Sequence, residues 1–229
     1  MDQGMEPYQG DLLDALRAGD SPRARGVVAA MRAAGVAPIE IYLRVFTPSM
    51  ITIGDLWERN ELTVAEEHLA TAIVERLIAE LSPSFADLPS SGTIGTALIG
   101  CVAGERHVLG ARMLADLLRQ HGWRVLDLGA DIPSQDWVKL AVRFQVDLVA
   151  ISVNMIDNLP TAQSLIDQLR AACPGAFILV GGGALSRGPE LVRGLGANLY
   201  HPDPLAAVTL ATADAALRQD ARRQAGAES

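Results

Sequence analysis

Gly104-Glu105-Arg106-His107-Val108-Leu109-Gly110 follows an apolar run, Thr93 to Val102, and opens a helix-like run, Ala111 to Gln120. That order puts a histidine at the carboxyl end of the first strand of an open parallel sheet. Ligands of such sheets bind outside the carboxyl ends of the strands, where the strand order reverses. Glu105, two residues before the histidine, can hold one imidazole nitrogen and leave the other for a metal. Gly110 allows close backbone approach by a large ligand. A histidine after a strand is, on its own, more often a hydrogen-bonded loop residue, so the surrounding pattern has to decide.

Working outward, apolar strand-like runs alternate with helical ones. The strands are expected at 94–101, 124–128, 147–152, 176–181 and 197–200, and the helices at 107–121, 134–145, 160–172, 187–195 and after Pro204. Continuous apolar strands such as Asp147 to Ser152 suit a parallel sheet covered on both faces. Five such units make a flavodoxin-like, doubly wound five-stranded α/β domain over residues 93–229.

Upstream, Ser82 to Gly92 is rich in Pro, Ser and Gly, and 83–92 reads as a linker. Residues 1–82 read as a four-helix bundle. Helical spacing runs from Gln9 to Gly35, interrupted at Gly19-Asp20-Ser21-Pro22, with Pro22 at the first position of the second helix. A third helix starts after Pro38 and reaches Trp57, with Pro48 marking a bend or break. Thr63-Val64-Ala65-Glu66 reads as a capping box, and Leu69, Ile73, Leu77 and Leu81 form an apolar face on the fourth helix.

Composition narrows the function. The chain has 229 residues, is 49% hydrophobic and carries a net charge of -8 with no block of Lys or Arg, which disfavours direct DNA binding. Cys101 and Cys173 sit in or beside apolar runs and read as reduced, buried thiols. No apolar run reaches membrane-spanning length and no signal peptide is evident, so a cytoplasmic location is expected. The loop after the first strand lacks G-x-G-x-x-G, and no P-loop occurs, which argues against dinucleotide and nucleoside triphosphate sites. No acidic pair ends the first strand, against a phosphoacceptor domain. His121 reads as a C-terminal-turn residue, and His201, before Pro202, as a loop residue on the ligand side of the sheet, with contact to the pocket as its alternative. Neither has metal-ligand spacing with another His or Cys.

Two further motifs stand in register with His107. Ser152-Val153-Asn154 ends the third strand, with 41 residues between Gly110 and Ser152, and Gly181-Gly182-Gly183 ends the fourth, with 26 residues between Asn154 and Gly181. Glu-x-His-x-x-Gly, Ser-x-Asn and Gly-Gly resemble the pattern of cobalamin-binding domains that hold the cofactor base-off and His-on. The resemblance covers about residues 92–215. It departs at Glu105, where an Asp is usual, and at Asn154, where a Leu is usual. It implies that His107 is the cobalt ligand, and that Glu105, Arg106, Val108, Gly110, Ser152, Asn154 and Gly181 to Gly183 surround the cofactor, with the nucleotide tail beside Ser152 and the glycines.

Trp57, followed at plus ten and plus eleven by Glu67-His68, resembles the adenosyl cap of the CarH-like light-sensing regulators. The phrase Gly-Glu-Arg-His is also closer to that family than to corrinoid methyl carriers. The likeness implies a non-enzymatic photoreceptor that holds adenosylcobalamin, with methylcobalamin or hydroxocobalamin as other forms. Trp57, Glu67 and His68 would surround the adenosyl group, which light expels. The bundle starts almost at Met1, leaving no room for the MerR-type DNA-binding module. That implies an AerR-like regulator acting through a partner transcription factor or through self-association. Where those sensors carry a histidine after the Trp, this chain has Glu58. The alternative is a corrinoid carrier of a methyltransferase system.

Overall fold

The computed structural model describes residues 4–85, 93–187, 192 and 194–227. The chain divides into two compact units, the first ending at Phe85.

The first unit is helical because its apolar residues recur at helical spacing between well-formed stops. Helix α1, Glu6–Arg17, ends at Gly19, whose φ of +64° suits glycine, and the Asp20 N–H donates to Ala15 O across that turn. Asp20 then caps α2, Ser21–Ala33, by accepting from the Arg23 N–H at 2.9 Å. The cap therefore lies one residue earlier than the Ser21-Pro22 pair suggests.

No break occurs at Pro48. Helix α3, Pro38–Ile41, runs through a π-helical turn, Tyr42–Phe46, into α4, Thr47–Glu58. Pro48 has no N–H for the carbonyl four residues before it, and the wider turn absorbs the mismatch. Thr47 donates to Tyr42 O from both its N–H and its Oγ1, the latter at 2.9 Å. Tyr42 and Phe46, fully buried, stack at 5.8 Å, and Phe85 stacks on Tyr42 at 5.0 Å. Burial of an aromatic of this size contributes roughly 2–3 kcal/mol.

The capping box forms as read: the Glu66 N–H donates to Thr63 Oγ1, and the Thr63 N–H to Glu66 Oε2. On α5, Val64–Leu81, the buried face is Ala70, Ile73, Val74, Leu77, Ile78 and Leu81. Leu69 is a correction, since it is 47% exposed at the edge of the face, where its Cδ2 fills the space beside Gly19. The expected linker falls mostly outside the described residues, and its start belongs to a 3₁₀ turn, Ser82–Phe85.

The second unit is a five-stranded parallel sheet, β1 Gly95–Cys101, β2 Trp123–Asp127, β3 Leu148–Ser152, β4 Phe177–Gly181 and β5 Leu199–Tyr200, in the order β2-β1-β3-β4-β5. That is the flavodoxin-like order, with its switch point between β1 and β3. Helices α6, Leu109–Gln120, and α10, Pro204–Ala227, pack together, as do α7, Ser134–Phe144, and α8, Leu159–Ala172. Trp137, Val149, Ile151, Leu165, Ile166 and Val180 form a closed core under α7 and α8. The helix expected at 187–195 lies largely outside the described residues, and a short α9, Gly183–Arg187, precedes it.

Candidate functional site

The loops after β1 and β3 meet at the switch point around a single carboxylate. Glu105 is fully buried yet charged, and five donors converge on it. Oε1 lies 2.5 Å from His107 Nδ1 and accepts from the His107 N–H at 3.1 Å. Oε2 accepts from the N–H groups of Asn154 (2.8 Å) and Met155 (2.9 Å) and from Asn158 Nδ2 (3.0 Å). Burial works to raise the Glu105 pKa, but the bonds from His107, Met155, Asn158 and Asn154 outweigh it and hold it at about 2.

An ionised carboxylate at Nδ1 keeps the imidazole proton on that atom, so Nε2 carries the ring's lone pair. The His107 side chain is 47% exposed. Its neighbours in the phrase divide by role. Val108 is buried and precedes α6, Arg106 is exposed, and a Cβ on Gly110 would meet nothing within 4 Å. Among the described residues no three His, Cys, Asp or Glu side chains converge as a metal cluster. His107 is thus a candidate single-nitrogen ligand whose Nδ1 is held by Glu105.

The three glycines after β4 separate in the structure. Gly182, at φ +109°, lies so close to the end of β3 that a Cβ would sit 2.2 Å from Val153 O. The Gly183 N–H donates to Asn154 Oδ1 at 2.7 Å, where a Cβ would collide. These two glycines and Asn154 thus join the ends of β3 and β4 through the chain's own loop packing. Gly181 alone has open space beside it. Ser152 stands in register with Cys101 on β1 and Gly181 on β4. Burial, with the Glu105 charge nearby, pushes the Cys101 thiol up to about 12.

In the helical unit, α4 ends in a doubly bonded turn. The Glu61 N–H donates to Leu56 O and the Asn60 N–H to Trp57 O, with Asn60 at φ +59°. The capping box of α5 follows within three residues. The turn therefore fixes where Trp57 and Glu67-His68 leave their helices. Trp57 is 37% exposed, and the His68 side chain is 75% exposed and 3.5 Å from Glu67. Glu67 accepts from Thr71 Oγ1 at 2.8 Å.

Two site residues escape a reading of the sequence. Asn158 precedes Leu-Pro at the start of α8 and reads as its cap, yet it makes no cap bond and turns to Glu105 instead. Asp131, after β2, accepts from the Gly104 N–H at 2.7 Å, and its own N–H donates to Glu105 O, bracing the loop from the other side. The Asp131 φ of +58° is the only local sign of that role, and it is visible only in the fold.

Comparison with known proteins follows this division. Residues 95–209 match the family described as B12 binding domain, and residues 8–82 match a second family of the same description. The chain is 27% identical over 190 residues to trimethylamine corrinoid protein 1 of Methanosarcina mazei, covering 82% of this chain and 87% of that protein. It is 29% identical over 188 residues to the HTH-type transcriptional repressor CarH of Myxococcus xanthus, covering 82% of this chain and 61% of that protein. The fold matches the monomethylamine corrinoid protein of Methanosarcina barkeri with a TM-score of 0.81 over 91% of this chain and 99% of that one, at 19% identity.

Proposed function

The chain belongs to the B12-binding family and binds cobalamin, and from that premise we propose that it is a light-responsive regulator with no enzymatic activity of its own. His107 would hold the cobalt through Nε2, oriented by Glu105, and the nucleotide tail would lie beside Ser152 and Gly181 to Gly183. Bound adenosylcobalamin supplies a cobalt–carbon bond that green or blue light breaks. Trp57, by stacking, and Glu67, by accepting from ribose hydroxyls, hold the adenosyl group in the dark. Its loss removes contacts that favour the dark conformation, and only such differential contacts shift a population. The signal passes to a partner transcription factor or to a second copy of the chain, in the cytoplasm and without direct DNA binding. Among the described residues no helix is long and apolar enough to cross a membrane.

The observation that carries this reading is Trp57 with Glu67-His68 at plus ten and plus eleven, on a turn closed by two caps and left accessible. A second reading, a corrinoid methyl carrier, is favoured by the similarity to methylamine corrinoid proteins over most of both chains. One experiment separates them. The reconstituted adenosylcobalamin complex is illuminated, and absorption, light scattering and partner binding are compared with the dark state. The regulator changes size or affinity on photolysis. Complete photolysis with no change in either leaves the carrier reading ahead.

A further inference from the structure

His201 ends the sheet one step beyond β5. Val180 pairs with Tyr200 and Leu179 with Leu199, so His201 follows Tyr200 as Gly181 follows Val180. Continued across the sheet, that register runs from Cys101 through Ser152 to Gly181, the strand-end row that borders the open space beside Gly181. The row thus has a titratable ring at its β5 end, next to the one glycine of the three that the fold leaves clear.

The local hydrogen bonds settle the ring's tautomer. His201 Nδ1 lies 3.0 Å from both the N–H and the carbonyl O of Asp203. The backbone N–H can only donate, so Nδ1 must accept from it. The Asp203 carbonyl already accepts from the Ala207 N–H, the first bond of α10. Nδ1 therefore carries the lone pair and Nε2 the proton. His201 is the converse of His107, whose carboxylate partner puts the proton on Nδ1. Its Nε2 is thus a donor and not a metal ligand. The loop that holds it is itself fixed, because Asp203 Oδ1 accepts from the Leu205 N–H at 2.8 Å and caps α10.

We infer that His201 recognises the nucleotide tail of the bound corrinoid, its Nε2–H donating to an acceptor oxygen of the tail's phosphate–ribose segment. The inference rests on the tail placement proposed above, beside Ser152 and Gly181. It makes His201 a residue that distinguishes complete corrinoids from those lacking the tail.

The test uses two ligands and two variants of the full chain. Cobalamin carries the nucleotide tail and cobinamide lacks it. In His201→Asn the side-chain oxygen stands where Nδ1 was and still accepts from the Asp203 N–H, while the Nε2 donor is lost. In His201→Gln the amide nitrogen stands near the position of Nε2 and the donor is kept. Absorbance titration of the apo-protein is expected to show cobalamin bound about tenfold more weakly by His201→Asn, cobinamide bound equally by that variant and the wild type, and cobalamin binding largely recovered in His201→Gln. Thermal unfolding of the apo His201→Asn protein, unchanged from wild type, confirms that the loop is intact. Equal weakening for both ligands, or no weakening for cobalamin, overturns the assignment. A wild-type protein that does not prefer cobalamin over cobinamide overturns the tail placement beneath it, and one that binds neither overturns the cobalamin reading itself.

Discussion

The β1 loop and the α4–α5 turn carry the two groups of candidate residues, one in each unit, and they are built by opposite means. Around His107 the fold buries a carboxylate completely and aims five donors at it, so the imidazole is oriented before any ligand arrives. Around Trp57 the backbone is just as well defined, but Trp57 and His68 are accessible, and only Glu67 is partly buried and bonded to Thr71. A metal ligand has to be placed to within a fraction of an ångström, and preorganisation spares the cofactor that cost. A responsive surface has to lose contacts when its ligand leaves, which it does only if the ligand was the main contact.

The largest effect is expected where preorganisation is strongest. Glu105→Ala orphans the N–H groups of Asn154 and Met155 and the Asn158 amide, and is expected to cost the sheet unit about 3 kcal/mol or more. Thermal unfolding of the apo-protein measures this, and a loss under 1 kcal/mol breaks the contrast. The same carboxylate sets a pH dependence. Its pKa is about 2 in the fold against an ordinary 4.5, so its stabilisation is fully present above pH 4.5 and is lost as pH falls from there toward 2. Glu105→Gln is expected to be less stable than wild type at pH 7 and to show a flatter stability profile across that window.

His107→Ala follows. It leaves the carboxylate with its loop donors, so the sheet should fold, while the bound cobalamin changes its absorption spectrum and is retained less well. An unchanged spectrum removes His107 as ligand.

The glycines after β4 sharpen the comparison within one loop. Gly182→Ala places a Cβ against Val153 O at a φ that side chains rarely adopt, and should destabilise the apo-protein by about 2 kcal/mol or more. Gly181→Ala meets nothing within 4 Å and should leave apo stability within about 0.5 kcal/mol while weakening cobalamin binding. Equal apo stability of the two variants would show that the loop is not packed as described.

The smallest effect on stability belongs to Trp57→Ala, within about 1 kcal/mol for an accessible side chain. The dark-to-light change in scattering or partner affinity should be blunted, with the His107-ligated spectrum in the dark intact. With Glu58 beside the Trp, the photoproduct should show water, hydroxide or His68 above cobalt. A large loss of apo stability in Trp57→Ala would make that tryptophan a core residue.

How much of this was legible differs between backbone and side chain. Strand positions and the capping box follow from local patterns, because a buried parallel strand and a helix start each have a short, self-contained signature. Glu105 with His107 is legible for the same reason, being two residues apart. Asn158 is not, since 53 residues separate it from Glu105 and its local context argues for a cap it does not make. Gly182 shows a related limit. A glycine at a strand end signals close approach without naming the approaching group, and the backbone of the neighbouring loop is visible only in the fold. Leu69 has the right spacing for the core and lies at its edge, because periodicity gives the angle of a face and not its width.

The π-helical turn at Tyr42–Phe46 has a consequence for how this protein can be re-aimed. A wide turn holds one residue more than the α-helical path between the same ends, and one residue is about 100° of rotation about the helix axis. Everything from Thr47 onward, Trp57 included, therefore keeps the bearing of an uninterrupted helix although the chain is one residue longer. Deleting one position within 42–46 would straighten the rod into ordinary helix and leave the indole aimed as before, whereas winding all five residues into α-helix would swing it by about 100°. The aim of the aromatic is thus kept a dozen residues upstream of it, as a count and not as a contact.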